Sequence, residues 1–395
     1  MTACMRSFIG SSSHWTSTVR SPDGAVLTAL RILHTESSLG WGGQELRVLD
    51  EASGMVGRGH EVTIAAAPGS RILKAALTRG LTVLEMPLAG KSVAGVLAMR
   101  RTFLECLPSV VNCHSSTDSW VCALAARIMS NPPPLVRTRH ISAPIPRNLA
   151  SRWLYRHATG RVVTTGESLR TQVMHETGLE GNRVDSVPTG IDLQRFSPDY
   201  KAPARVAIGL PADAFLVGIV ATLRSWKGHR YLVDAIAMID DPDVRLIVVG
   251  GGPGRDNLNE QVRALSIGGR VVFAGEQGDV VPWLRALDVF VLPSYANEGV
   301  PQAIMQAMAC GVPVITTAAG AIPEIVKDDV TGVVVPVRDS GAIANAINKL
   351  RIDAERQTRF SDAGRREALL RFSSRLMLDR METIFMEAAK RRARS

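Results

Sequence analysis

Short runs of β-branched and aliphatic residues recur along this chain, each followed by a stretch whose apolar positions have helical spacing. The first half carries LRILHTES (30–37), HEVTIAA (60–66), LTVLEM (81–86), SVVNCHS (109–115), PLVRTRH (134–140) and GRVVTTG (160–166). The second carries FLVGIVATL (215–223), VRLIVVGGG (244–252), RVVFAG (270–275), VFVLPS (289–294), PVITTA (313–318) and GVVVPV (332–337). Strands separated by helices cannot pair as tight hairpins, so they pair in parallel and the helices cover the faces. A helix is expected from about Gln44 to Gly57 after the first strand. Between the halves, VPTGIDLQRFSPDYKAPA breaks both periods with its prolines, Gly190 and paired acids, and places a hinge near residue 198.

Each half is therefore an α/β unit with a Rossmann-like sheet, and such sheets bind ligands at the carboxyl ends of their strands. The expected layout is a loose extension over 1–28, a first domain over 29–198, a second over 199–375, and a helix over 376–395 that packs back toward the first domain. That last segment places Leu376, Leu378, Met381, Ile384, Phe385 and Ala388 close to one helical face and ends in the basic KRRAR. A length of 395 residues suits two cores rather than one. No apolar run approaches the ~18 residues needed to span a bilayer, and the Ser-rich start lacks the apolar stretch of a secretory signal.

Five cysteines without a CxxC pair, set mostly in apolar stretches, fit a reducing cytoplasm and exclude a zinc set of ordinary spacing. The net charge of +9 favours an anionic partner: a phosphate-bearing ligand, an anionic membrane or nucleic acid. No aromatic-plus-basic platform or recognition helix accompanies the charge, which argues against nucleic acid. No Ser–His–Asp arrangement suggests hydrolysis by a triad.

Several stretches fall at strand ends. SSLGWGGQEL (37–46) is a glycine-rich turn that opens a helix, where the backbone at Gly42 and Gly43 could approach an anion, although such a turn can equally be only a turn. In ATLRSWKGHRYLVDA (221–235), Arg224 and Lys227 stand between a strand and a helix, suited to anion binding or to solvation in a loop. VVGGGPGRDNL matches neither dinucleotide nor Walker spacing. Asp241-Pro242-Asp243 is a literal DxD, but it precedes its strand, at the wrong end of the sheet for a metal site, and is expected to be a turn. His114 and His140 both end strands on the cleft side, with Asp118 shortly after the first.

Taken in order, GWGGQE, VNCHSS, VPTGIDLQRFSPD, LRSWKG and above all NEGVPQAIMQAMACGVPVITT (297–317) resemble the retaining glycosyltransferases of family 4, over roughly residues 30 to 390. The resemblance implies the GT-B fold, two facing Rossmann-like domains with a cleft between them. It also implies that Glu298 contacts the donor sugar, with Gly299 and Val300 beside it, that Lys227 holds the diphosphate, and that His114 orients the sugar or the acceptor. Two positions depart from the pattern. Gln306 stands where a second acid should hold the ribose, and an amide gives up the charge-assisted bonds of a carboxylate; Thr222 stands where an Arg is usual, with Arg224 two residues on to supply its charge.

Further implications are a nucleotide-sugar donor, no metal or other cofactor, and a glycan or lipid-linked glycan acceptor held by the first domain near His140 and Asp118. Lipopolysaccharide or another surface polysaccharide is the expected product. KSVAGVLAMRRTFLEC (91–106) and PIPRNLASRWLYRHATGR (144–161) mix arginines with Trp153, Leu154 and Tyr155, as a peripheral contact with the inner face of the plasma membrane would, or as inward-packing aromatics beside solvated arginines would. A nucleotide-sugar epimerase, a sugar-phosphate synthase and a binding-only relative of the same fold remain as alternatives.

Overall fold

In the computed structural model, which describes residues 18–20, 26–296 and 298–392, two parallel sheets organise the chain. The first has seven strands in the spatial order Thr82–Glu85, Glu61–Ala66, Arg31–Glu36, Val110–Cys113, Leu135–Arg139, Arg161–Thr164, Val184–Ser186. The second has six, in the order Val271–Gly275, Val244–Val249, Phe215–Val220, Val289–Leu292, Val314–Thr317, Val333–Val335. Both sheets begin in the middle, wind to one edge and then cross to the other side. The reversal falls between Arg31–Glu36 and Val110–Cys113 in the first sheet, and between Phe215–Val220 and Val289–Leu292 in the second. Loops leaving the carboxyl ends there diverge and open a crevice, which is why Glu36, His114, Lys227 and Glu298 can share one region.

Every strand expected from β-branched runs is present, with ends shifted by a few residues. Val184–Ser186 was not expected, because three residues against a proline-rich hinge carry too little pattern to separate them from a linker. Within the expected loose extension, Thr18–Arg20 pairs antiparallel with Val26–Thr28; residues 1–17 and 21–25 of that extension, and 393–395 of the basic tail, lie outside the described residues. Asp241 accepts from the backbone N–H of Asp243 and pairs with Arg351, so the DxD is a turn before its strand.

The chain crosses between domains twice, and the crossings are tied. The N–H of Ile191 donates to the carbonyl of Phe372 at 2.6 Å, and that of Ser374 donates back to Ile191 at 3.0 Å. The helix Ser374–Arg392 then returns to the first domain. Met377, Met381, Ile384, Phe385 and Ala388 lie on one face and are buried with Val48, Leu49, Ile32 and Ile64. Leu376, expected on that face, is 44% exposed, and Met377 takes its place. Arg58 holds the outer side through Asp379 and Glu382.

Side chains of the second domain also seal the seam. The helix Glu167–Thr177 has Gly166 as its N-cap and therefore no cap of its own. Glu324, from the second domain, supplies one: its carboxylate accepts from the backbone N–H groups of Glu167 at 2.6 Å and Ser168 at 2.7 Å. An anion at a helix N-terminus satisfies orphan donors and complements the dipole. Arg71 and Glu276 form a second link across the seam.

Two outcomes follow from this packing. Phe385→Ala, at a fully buried position, should lower stability by about 3–5 kcal/mol in denaturant unfolding; a loss under about 1 kcal/mol would mean the last helix is not part of the first core. Glu324→Ala should leave the domains folded but increase the radius of gyration in solution scattering, and superimposable curves would show that the cap does not hold them together.

Candidate active site

Lys227 and Glu298 meet at the carboxyl end of the second sheet. The Lys227 ammonium donates to both carboxylate oxygens of Glu298, at 2.7 and 2.9 Å. Ser294 donates a further bond to Oε1 at 2.6 Å, and Glu298 is 4% exposed. Local structure builds this pair. Gly228 follows Lys227 with φ +78°, and a Cβ there would lie 2.0 Å from the carbonyl oxygen of Pro293, so only glycine lets the Lys227 turn press onto the loop that carries Glu298. The helix behind that loop, Gln302–Ala309, starts after Pro301, which sets Glu298 in irregular backbone before the helix.

Gly299 brings the two domains together. A Cβ on it would stand 2.5 Å from the carbonyl oxygen of His140. Val300 beside it is buried. Gln302, at the start of the helix, donates to the carbonyl of Gly43 at 2.5 Å, so the glycine-rich turn and the Glu298 loop face each other. Gly42 is the N-cap of the helix Gly43–Gly57 and offers no side-chain cap, which leaves first-turn N–H groups free of a side-chain partner. Gln302 was not expected from the sequence, yet it lies four residues before Gln306 on one helical face, the spacing that could have revealed it. Gln306 itself is half-buried.

A buried polar post positions the glycine turn. Glu36, fully buried, accepts from the Ser38 backbone at 2.7 Å and from Gln44 at 2.5 Å, and also from the Ser115 hydroxyl. Burial raises its pKa. Asp118 is buried beside it, and its oxygens accept from Thr35 at 2.8 Å and from the backbone N–H groups of His114, Ser115 and Ser119, each at 2.9 Å. Burial and then the Glu36 carboxylate push Asp118 up to about 8. The expectation that Asp118 touches an acceptor is corrected: its oxygens are taken, and it holds the His114 loop and caps the helix Ser116–Arg127.

His114 is also bound on both sides. Its Nε2 lies 2.9 Å from Nδ1 of His34, and its Nδ1 lies 3.0 Å from Nε2 of His140. Both nitrogens of His114, expected to orient the sugar or the acceptor, are thus occupied by imidazoles, and His140 is the half-buried end of the series. Burial lowers all three: His34 falls to about 3, while His114 and His140 fall well below the usual histidine value, helped at His114 by the neighbouring imidazoles and then Arg47, and at His140 by Arg47 and Arg139. His34 sits inside a strand with no signal to separate it from a packed residue.

Thr222 is half-buried in the turn before Lys227. Arg224, expected to replace the missing charge at 222, is not brought to the Lys227–Glu298 pair. Its guanidinium lies 5.5 Å from the Trp226 ring and lines a cavity of about 730 Å³ with Arg230, Asn257 and Gln261, between the helices His229–Ala237 and Arg255–Ala264. Of the residues suggested as a membrane face, Leu154 and Tyr155 are buried and Trp153 stacks on Trp120 with centroids 6.0 Å apart, so the aromatics of that stretch pack inward. Among the described residues, no His, Cys, Asp and Glu group is arranged to hold a metal ion, and no helix is long and apolar enough to cross a membrane.

Comparison with known proteins agrees with this geometry. Residues 41–195 match the family described as Glycosyltransferase Family 4, and residues 201–367 match Glycosyl transferases group 1. A D-inositol 3-phosphate glycosyltransferase of Xylanimonas cellulosilytica is 29% identical over 89% of this chain and 93% of its own length. One from Mycobacterium sp. (strain KMS) is 30% identical over 78% of this chain and 77% of its own. Among solved structures, a glycosyltransferase from Rickettsia africae superimposes with a TM-score of 0.82 at 19% identity, covering 92% of this chain and 99% of that one. Anabaena HepE, solved in complex with UDP, superimposes at 0.81 and 22% identity, covering 91% and 100%. With paired parallel sheets, a shared crevice and these relatives, the chain belongs to glycosyltransferase family 4 and has the GT-B fold.

Proposed function

We propose that this glycosyltransferase moves a sugar, with retention at the anomeric carbon, from a uridine diphosphate sugar to a hydroxyl of a small polyol that carries phosphate. The observation that carries the donor half is the Lys227–Glu298 pair facing the glycine turn. Breaking the anomeric C–O bond leaves negative charge on the diphosphate. An ammonium has three N–H donors; Glu298 takes two bonds from Lys227, and the third can meet a phosphate oxygen. First-turn N–H groups of the helix Gly43–Gly57 can add their dipoles. Fixed cations and amides then do what a metal does elsewhere, so the reaction needs no divalent ion.

Glu298, held in place by Lys227 and Ser294, keeps its carboxylate next to the sugar's position, and Gln306 offers one amide to the ribose. Uridine as the base is supported by the solved HepE complexes with UDP and UDP-glucose. The polyol phosphate is supported by the names of relatives that match most of the chain. A second reading, transfer to a surface glycan at a membrane, is favoured by the helix Val93–Cys106, which exposes Val93 and Leu97 to 76% and 55% beside Arg100 and Arg101.

The test is release of nucleoside diphosphate from UDP-sugars, with D-inositol 3-phosphate in one arm and lipid-linked glycan in anionic vesicles in the other. Turnover should persist in chelator, and Lys227→Ala and Glu298→Ala should each lower kcat by about 10²–10³-fold. Vesicle-dependent turnover alone would favour the glycan reading. Tight binding of UDP-sugar with no release under either condition would leave a binding-only protein and sink the proposal.

A further inference from the structure

Three imidazoles in series run from the interior of the first domain to its cleft. His34 is fully buried, and its Nε2 meets no partner among the described residues. Its Nδ1 faces Nε2 of His114 at 2.9 Å, and Nδ1 of His114 faces Nε2 of His140 at 3.0 Å. His140 ends the strand Leu135–Arg139, half-buried, with its carbonyl oxygen against Gly299 and so next to the Glu298 loop. Its Nδ1 takes part in no hydrogen bond among the described residues.

Each link between neighbours holds one proton. Three neutral imidazoles carry three protons, so the remaining one must sit at an end of the series, on Nε2 of His34 or on Nδ1 of His140. His114 cannot hold a proton on both nitrogens and stay neutral, nor on neither. The three tautomers therefore change together or not at all.

We propose that the chain keeps this last proton at its buried end, leaving Nδ1 of His140 a bare lone pair that accepts a hydrogen bond from a hydroxyl of the bound reactants, and that His34 is the positioning residue that sets this state. Three considerations decide the direction. Nε2–H is the intrinsically preferred form of a neutral histidine side chain, and this direction places all three residues in it. Arg139, next to His140 in the chain, and the buried Arg47 both act on His140, whereas burial alone acts on His34; the positive end of the series dipole is better placed away from those arginines. The cost is an N–H on His34 without a hydrogen-bond acceptor among the described residues.

The chain cannot serve as a proton store. Passing a proton inward would make an imidazolium of His34, where burial holds the pKa near 3. His140 thus orients a hydroxyl and leaves its proton to the departing phosphate. This inference rests on the cleft being the glycosyl-transfer site, but its main readout does not need turnover.

The experiment is nitrogen NMR of the full chain with labelled histidine, in which a bare imidazole nitrogen is separated from a protonated one. In the wild type, Nδ1 of His34, His114 and His140 should all be bare. In His34→Leu only two imidazoles favour the Nε2–H form, and the His114 Nε2–H faces leucine methyls, so the tautomer preference no longer offsets the unmet donor and the series should reverse, placing a proton on Nδ1 of His140; kcat/KM should fall about tenfold, as for one lost hydrogen bond. His34→Asn, whose side-chain oxygen can stand where Nδ1 stood, should keep the wild-type pattern and most of the activity. A loss in donor hydrolysis as well as transfer identifies a sugar hydroxyl, and a loss in transfer alone an acceptor hydroxyl; both outcomes support the chain. A proton on Nδ1 of wild-type His140, or an unchanged His140 in folded His34→Leu, overturns it. Should His34→Leu not fold, the wild-type and His34→Asn spectra decide. The expected wild-type spectrum in a protein that transfers no sugar would sink the transferase reading and leave the chain standing.

Discussion

Lys227 and Glu298 form an ion pair in which the carboxylate is almost wholly out of water. A pair so placed is stable only if its geometry is good and its remaining lone pairs are met, because desolvation otherwise exceeds the Coulomb gain. Both conditions are satisfied by near neighbours of the pair along the chain. Gly228 permits the turn that delivers Lys227, and the Pro293–Ser294 stretch after Val289–Leu292 supplies both the contact surface and the Ser294 hydroxyl. The pair is thus the meeting point of two strand ends at the reversal of the second sheet.

The first domain answers with a different solution. Its reversal point holds few exposed charges; instead Glu36, Asp118, Thr35, Ser115 and three imidazoles form one buried network. Buried polar groups of this kind stabilise only when their partners are complete. Here nearly every donor has an acceptor, with Nε2 of His34 among the exceptions. The network fixes the glycine turn on one side through Glu36 and the His140 edge on the other. One domain therefore places an ion pair at the crevice, and the other a buried polar network.

Contacts across the seam include Gln302 on Gly43, Glu324 on the Glu167 helix, Arg71 with Glu276, and Gly299 against His140. Two of them meet a helix N-terminus in the first domain. Such contacts are local enough to be broken one at a time, while the returning helix Ser374–Arg392 ties the second domain's end to the first core by apolar burial.

Local chemistry was legible in the sequence wherever one segment carried it. Alternating β-branched runs and helical spacing determined two parallel sheets, since that pattern has few other ways to bury itself, and the order of short motifs pointed to Glu298, Lys227 and the glycine turn. Only the tertiary structure decided which polar groups already have protein partners. His114 looked available because its segment ends at the cleft, yet His34 and His140, distant in sequence, occupy both of its nitrogens. Arg224 looked like a replacement cation from spacing alone, but its guanidinium lies over the Trp226 ring. Glu324 carries no local mark, because the helix it caps belongs to the other domain. Strand period and turn chemistry are properties of neighbours along the chain, whereas the partners of a buried polar atom are set by segments that meet only after both sheets have formed.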